Sequence, residues 1–271
     1  MPNIDILVLA ILQGMTEFLP VGSSGHLLMV PQLYCWSPLA PGLDLAMLLG
    51  ALLAVMVCFL GDLLGMVQGF FKVLQGKRDG RVRLIGLLLV AAIPYLAAAF
   101  LVERYAGGAL SSPLMVGNAL VWFGLLLYGA DKLGLTVRRV EHMTFGQALM
   151  IGIFQCCAVI PGAGGTAITM TIGRVLGYER PDAVRFAFLL SIPILAAIAG
   201  YKGWLLFEAG AAIDFAQAGL AMGLSAIAGF IAIAFLSYWV RRSGFVPFVL
   251  YRVAFGIYLL YLFYVAGGPA C

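Results

Sequence analysis

Six stretches of the chain, near residues 43–61, 82–102, 112–131, 184–206, 217–240 and 247–267, are apolar and almost free of charge. Each is close to the roughly 20 residues that a helix needs to cross a bilayer. In hydrocarbon the backbone must satisfy its own N–H and C=O groups, which leaves only helices and closed barrels. A barrel would show short segments alternating apolar and polar residues. The runs here are continuous, so the chain is expected to be an all-α polytopic membrane protein. Its 10% of charged residues against about 25% in soluble domains excludes a soluble enzyme. The 34 glycines point to helices that are broken or closely packed, as membrane helices tolerate.

Two further apolar regions, 4–34 and 145–177, are interrupted midway by Pro20-Val21-Gly22-Ser23-Ser24-Gly25 and Pro161-Gly162-Ala163-Gly164-Gly165-Thr166. The pieces on either side are too short to span. They read as re-entrant helix–loop–helix hairpins, which survive in a membrane only where their open backbone is buried in protein or lines a wet cavity. The order is hairpin, three spans, hairpin, three spans. At a constant offset of 141 residues Pro20 maps to Pro161, and Asp44-Leu45-Ala46-Met47-Leu48-Leu49 maps to Arg185-Phe186-Ala187-Phe188-Leu189-Leu190. A repeat with an odd number of spans inserts in opposite orientations, so an inverted-topology repeat is expected within one membrane domain, 1–271. Its halves run about 1–135 and 140–271.

The net charge of +4 serves topology. With the 62–82 loop in the cytoplasm, Lys72, Lys77, Arg78, Arg81, Arg83, Lys132, Arg138, Arg139, Arg174, Arg180, Arg185, Arg241 and Arg242 all fall on that side. Only Arg104 and Lys202 lie near the other face. The positive-inside rule then sends the first hairpin in from outside and the second from the cytoplasm, with an external C-terminus. No basic patch interleaved with aromatics suggests nucleic acid. The five cysteines, Cys35, Cys58, Cys156, Cys157 and Cys271, lack metal-site spacing and read as small packing residues. Met1-Pro2-Asn3-Ile4-Asp5 has no basic start of a removable signal peptide.

Ionisable groups at membrane depth are expensive and are functional candidates by default. Here they are Glu17, His26, Asp44 and Arg252. Gln13 and Glu17 stand four apart and share a helix face; the break follows, then Ser23, Ser24 and His26. A carboxylate, an amide, two hydroxyls and an imidazole around a Gly-rich turn suit metal binding, a phosphate cradle and proton transfer. Each also has a plain structural reading: Glu17 as a satisfied carboxylate, His26 as a cap, Ser23 and Ser24 as N-cap residues. Asp44 and Arg252 read as structural partners in the membrane interior.

The run Glu17-Phe18-Leu19-Pro20-Val21-Gly22-Ser23-Ser24-Gly25-His26 closely resembles the signature of the undecaprenyl-diphosphate phosphatase family of the bacitracin-resistance type. The resemblance continues through Phe154-Gln155-Cys156 before Pro161-Gly162, Phe186-Ala187-Phe188-Leu189-Leu190 before Pro193, and Pro247-Phe248 with Tyr251-Arg252. It implies a bacterial inner-membrane enzyme that removes the terminal phosphate of a C55 polyprenyl diphosphate with a divalent cation, Mg or Ca. The site would open to the periplasm, and the product would be the carrier lipid reused in cell-wall synthesis. Membrane lipids and a second copy in a homodimer are the other partners expected. By the same resemblance Gln13 and Glu17 hold the metal or the diphosphate, and Ser23 and Ser24 contact the phosphates. His26 acts as nucleophile or general acid–base, with Glu17 and Ser23 also in the catalytic set. Gly164, Gly165, Thr166 and Thr169 belong to the phosphate site.

The second motif departs from the family pattern. Gly165 stands where the family has a phosphate-binding Arg and Gly164 where it has Ser; Arg185 replaces an acid and Leu48 a Gln. A cation aimed at the transferring phosphoryl group is a major source of catalysis in such chemistry. Two readings follow: a phosphatase with a rewired cation, for which the repeat offers Arg174 and Arg185, or a paralogue that binds or translocates a polyprenyl phosphate without hydrolysing it.

Overall fold

A proline lies near the middle of each interrupted segment, at the break between its two helices. Pro20 has no N–H for a helical ladder and disfavours helical backbone at Leu19. Helix α1 (Ile4–Phe18) ends just before it, and Gly22, at φ 86°, turns the chain into α2 (Ser23–Leu33). The second segment repeats the plan: α7 (Phe145–Gln155), a 3-10 turn over Cys156–Val159, then a break through Pro161 into α8 (Gly165–Val175). Gly162 and Gly164 take φ of 94° and 80° there. Left-handed backbone strains any residue with a Cβ, which is why these turns are built from glycine. The computed structural model describes residues 4–37, 39–75, 80–106, 108, 110–134 and 137–267.

Among the described residues six helices are long and apolar enough to cross a membrane: α3 (Pro41–Cys58), α5 (Gly80–Ala106), α6 (Pro113–Leu133), α9 (Arg180–Glu208), α10 (Phe215–Trp239) and α11 (Val246–Tyr264). They coincide with the six expected runs to within a few residues. The chain is an all-α membrane protein, and the described residues contain no strand beyond one isolated bridge, Arg138 to Tyr178.

Two expectations need correction. The stretch expected as a loop after the first span is mostly helix, α4 (Leu60–Leu74). Leu60, Leu64, Val67, Phe71 and Leu74 recur on it at helical spacing and are exposed. At 15 residues it is short for a crossing, so it was invisible to a search for spans. Lys77 and Arg78 lie outside the described residues, as does Cys271. Cys35 is not a packing residue: it is disulfide-bonded, while Cys58, Cys156 and Cys157 are free thiols.

The helix before each break packs on a long helix distant in the chain: α1 on α10, and α7 on α5. Both crossings are nearly backbone to backbone. A Cβ at Gly14 would come within 2.2 Å of the Ser225 carbonyl oxygen, and one at Gly152 within 2.3 Å of that of Ala91. Without a hydrophobic force between helices in lipid, such close approach of small residues is what holds them. Helices α3 and α9 lie between these pairs, α10 also packs along α3, and α6 runs along α11. Phe18 and Phe188 meet edge to face at 5.7 Å in a cluster that joins α1, α3, α9, α10 and α11.

Two ends of the bundle are distinguishable by their charges. At one, buried Asp131 receives Arg180 Nε at 2.6 Å and lies 3.4 Å from Arg174 Nε, and Arg185 pairs with Asp62 at 2.5 Å. At the other, Gly42 packs near Ile213 of the α9–α10 connection, and Asp44 pairs with Lys202.

Candidate active site

The two broken turns meet. A Cβ on Gly22 would lie 2.5 Å from the Gly162 carbonyl oxygen, and one on Gly164 would lie 3.1 Å from Gly22 Cα. The Gly162 N–H donates to Ser24 Oγ at 3.3 Å, and Thr166 Oγ1 donates across the junction to the Glu17 carbonyl at 3.0 Å. From behind, Arg252 of α11, fully buried, clamps the junction. It donates to the carbonyls of Gly162 and Ala163 at 2.9 Å each and to that of Pro20 at 3.4 Å. Both turns expose carbonyls that no helix can satisfy, and one guanidinium with its fork of donors serves both.

In front of the junction lies a cavity of about 590 Å³. Gln13, Glu17, Ser23 and Ser24 line it from the first broken segment, and Gln155, Pro161, Gly165 and Thr166 from the second. Asp44, Tyr95, Glu103, Ser111, Ser191, Tyr201 and Lys202 complete its polar wall; the remainder is Gly108, Phe100 and aliphatic side chains. Because α2 starts at Ser23 and α8 at Gly165, the first turns of both helices reach this space. First-turn N–H groups have no partner in their own helix, and the helix dipole makes that end partly positive, so two converging N-termini favour an anion.

Glu17 is the carboxylate at the centre of this arrangement. Gln13 Nε2 donates to its Oε2 at 3.2 Å, and Ser23 also hydrogen-bonds its side chain. The other amide oxygens, Gln13 Oε1 and Gln155 Oε1, are buried without a partner. A carboxylate next to a hydroxyl, under a pair of helix N-termini, can accept a proton from a nucleophile attacking a bound phosphoryl group.

Of the residues expected in the site, Gln13, Glu17, Ser23, Ser24, Gly165 and Thr166 are brought together. Gly164, Thr169 and His26 are not among the described residues that line the cavity. Gly164 is the N-cap of α8 and is pressed on Gly22. Thr169 is 1% exposed, its Oγ1 without a partner. His26 sits behind the turn, stacked on Phe255 at 4.7 Å. Its Nδ1 lies 2.8 Å from the Gly22 carbonyl and its Nε2 2.8 Å from Tyr251 Oη. A carbonyl only accepts, so Nδ1 carries the hydrogen and Nε2 accepts from the tyrosine. Both ring nitrogens are therefore engaged within the fold in this conformation. Ser23 and Ser24 are likewise not N-caps: Gly22 is, and it leaves both hydroxyls for other partners.

Neither arginine offered by the repeat reaches the cavity. Arg174 donates to the Tyr178 carbonyl at 2.5 Å and to that of Gly134 at 3.1 Å beside Asp131, and Arg185 is on Asp62. Asp44 and Arg252 are not partners of each other, but Arg252 is structural as expected. Sequence reading missed Lys202, taken only as a marker of topology. A signal existed: Ser191, Leu195, Ile198 and Lys202 follow helical spacing along one face of α9, and all four line the cavity.

The model of one protein family, described as bacitracin resistance protein BacA, matches residues 6–258. The chain is 42% identical over 273 residues to undecaprenyl-diphosphatase 1 of Rhodospirillum rubrum, covering 98% of this chain and 96% of that protein. It is 39% identical over 267 residues to undecaprenyl-diphosphatase 2 of Stutzerimonas stutzeri, covering 97% and 99%. Identity to the undecaprenyl-diphosphatase of Hahella chejuensis is 36% over 264 residues, covering 97% and 99%.

Proposed function

The chain belongs to the bacitracin resistance protein BacA family, and from that membership and the contents of the cavity we propose that it is a phosphatase that hydrolyses undecaprenyl diphosphate to the monophosphate and inorganic phosphate. The observation that carries the reading is the meeting of Glu17 and Ser23 on one turn with Gly165 and Thr166 on the other in a single cavity. Water attacks the terminal phosphorus, the bridging P–O bond breaks toward the lipid phosphate, and Glu17 takes the proton of the attacking water. The hydroxyls of Ser23 and Ser24 and the first-turn N–H groups of α2 and α8 hold the phosphate oxygens. His26 and Arg252 keep the two turns in register from behind.

A divalent cation fits this wall in a limited way. The donors are hard oxygens, Glu17 and the partnerless Gln13 Oε1, which suit Mg²⁺ or Ca²⁺. The described residues hold no group of three or more His, Cys, Asp or Glu able to enclose a metal. Gln13 and Glu17 would therefore share the ion with the diphosphate, as is usual for Mg²⁺. Bound there, it would neutralise charge on the phosphate oxygens.

We further infer an inverted repeat with both hairpins re-entrant, supported by the reciprocal packing of α1 on α10 and α7 on α5. We also infer that the cavity opens to the periplasmic side of the inner membrane. Its lining includes Glu103, Gly108 and Ser111 around the α5–α6 connection, opposite the end rich in Lys and Arg. The disulfide-bonded Cys35 precedes α3, whose start carries Gly42 and Asp44 at this same end. Disulfides persist in oxidising compartments.

The test is phosphate release from undecaprenyl diphosphate by the purified protein with Mg²⁺, beside Glu17→Gln. Loss of about a hundredfold or more is expected in the variant, the scale of a removed acid–base group. A second reading, binding or translocation without hydrolysis, rests on Gly165 at the position of the family's Arg. It is favoured if both proteins bind the lipid and neither releases phosphate.

A further inference from the structure

The charge inventory of the cavity is lopsided. Its wall carries three carboxylates, Glu17, Asp44 and Glu103, and among the described residues lining it Lys202 is the one cation. A diphosphate adds several negative charges to a space walled by apolar helices, where unlike charges attract and like charges repel more strongly than in water. Helix N-termini offer only about half a charge each. Arg252, which lies nearest to the turns, is occupied by three backbone carbonyls.

We propose that Lys202 is the cation that grips the phosphoryl oxygens of the diphosphate, and that Asp44 positions its ammonium at the cavity wall until a phosphate exchanges for the carboxylate. The proposal rests on the hydrolytic reading above and gives the charge missing at Gly165 a source on α9. Three observations carry it. Lys202 stands on the face of α9 that also presents Ser191, Leu195 and Ile198 to the cavity, so its side chain is directed there by helical geometry. Lys202 and Glu17 line the same cavity, so the ammonium and the proposed base face one space. The pair with Asp44 is open, with side chains 39% and 36% exposed, whereas Arg174 and Asp131 are 2% exposed each. A buried pair is locked by the cost of stranding its partner, while an exposed one is weakly held and exchangeable. Lysine also suits the task, as a point charge on a flexible stem that can follow a phosphate.

The test uses the full-length purified protein and farnesyl diphosphate as the probe. Phosphate release is measured with Mg²⁺, and binding of farnesyl diphosphate and of farnesol is measured in chelator so that no metal contributes. Lys202→Met is expected to lower kcat/KM by about a hundredfold or more. It should weaken diphosphate binding by about tenfold or more while farnesol binding stays within about twofold. Lys202→Arg restores release to within about tenfold of wild type. Arg104→Met, which removes an exposed cation outside the cavity, changes neither. Asp44→Asn tightens diphosphate binding by about twofold or more, because it removes the carboxylate that competes for the ammonium. Equal loss of diphosphate binding in Lys202→Met and Asp44→Asn would reveal a merely structural pair and overturn the proposal. So would near-normal release by Lys202→Met, with hydrolysis by the family's chemistry left standing. If the wild type releases no phosphate, the hydrolytic reading falls instead, and binding still decides: Lys202→Met either loses the preference for diphosphate over farnesol, which upholds the proposal, or keeps it, which overturns it.

Discussion

Replacing Arg252 by methionine keeps most of the aliphatic stem and removes the guanidinium. The carbonyls of Gly162 and Ala163 then lose donors at 2.9 Å, and that of Pro20 loses a longer contact at 3.4 Å. Only the two short bonds are counted, since hydrogen bonds weaken toward 3.5 Å. A buried carbonyl left without a donor costs about 1–3 kcal/mol, so the pair costs about 4 kcal/mol at the middle of that range. For a chain of this size 1 kcal/mol moves a melting temperature by roughly 2–4 °C, which gives an expected fall of roughly 8–16 °C in detergent. The turns carry Ser23 and Gly165 into the cavity, and small displacements of positioning groups are costly in rate, so phosphate release should fall by about a hundredfold. Arg252→Lys should fall between the two, because a single ammonium on a shorter stem cannot serve both the second turn, which Nη2 holds, and the Pro20 carbonyl of the first, which Nη1 holds. Thermal unfolding followed by tryptophan fluorescence, with phosphate release on the same samples, is the assay. An Arg252→Met protein that melts within about 2 °C of wild type and keeps release within about threefold would refute the clamp.

Gly165→Arg alone should raise phosphate release by about tenfold, and should rescue Lys202→Met in the double variant, by returning a bidentate cation to the cavity. A Cβ there meets Gln155 Nε2 at 3.3 Å and Ala158 Cβ at 3.8 Å, and the end of a glutamine side chain can yield. A lower rate in the single variant would show that the space, not the charge, is limiting. Pairing it with Gly164→Ser, which the family pattern invites, should instead be harmful, since Gly164 is left-handed and 3.1 Å from Gly22 Cα at its built Cβ; unchanged melting of Gly164→Ser would contradict this. His26→Ala should lower both release and melting temperature because the ring ties Gly22 to Tyr251. Lost release with an unchanged melting temperature would return His26 to direct acid–base chemistry.

The spans were legible because length and apolarity are local properties, and the breaks at Pro20 and Pro161 were legible because proline and glycine act on the backbone beside them. Glu17, Ser23 and Gly165 were readable for the same reason: each lies within a few residues of a turn that announces itself. What escaped the sequence depends on distance in space. Nothing near His26 in the chain indicates that Tyr251 and Phe255 will cover it. Nothing near Arg174 indicates that Asp131 will hold it away from the cavity. Lys202 follows Tyr201 near the end of a long helix and reads as an interfacial marker until α3 brings Asp44 beside it. Helix α4 was missed because it is too short for a span, yet its apolar positions are at helical spacing.

The central claim is that a polyprenyl diphosphate loses its terminal phosphate in the cavity where the two turns meet, at the end of the bundle that bears Lys202 and Cys35. The most direct measurement reconstitutes the purified protein, oriented, in sealed vesicles containing undecaprenyl diphosphate, and follows phosphate appearing on each side. The account predicts release on the face of Lys202 and its loss in Glu17→Gln. Release on the opposite face, or undiminished release by Glu17→Gln, would contradict it.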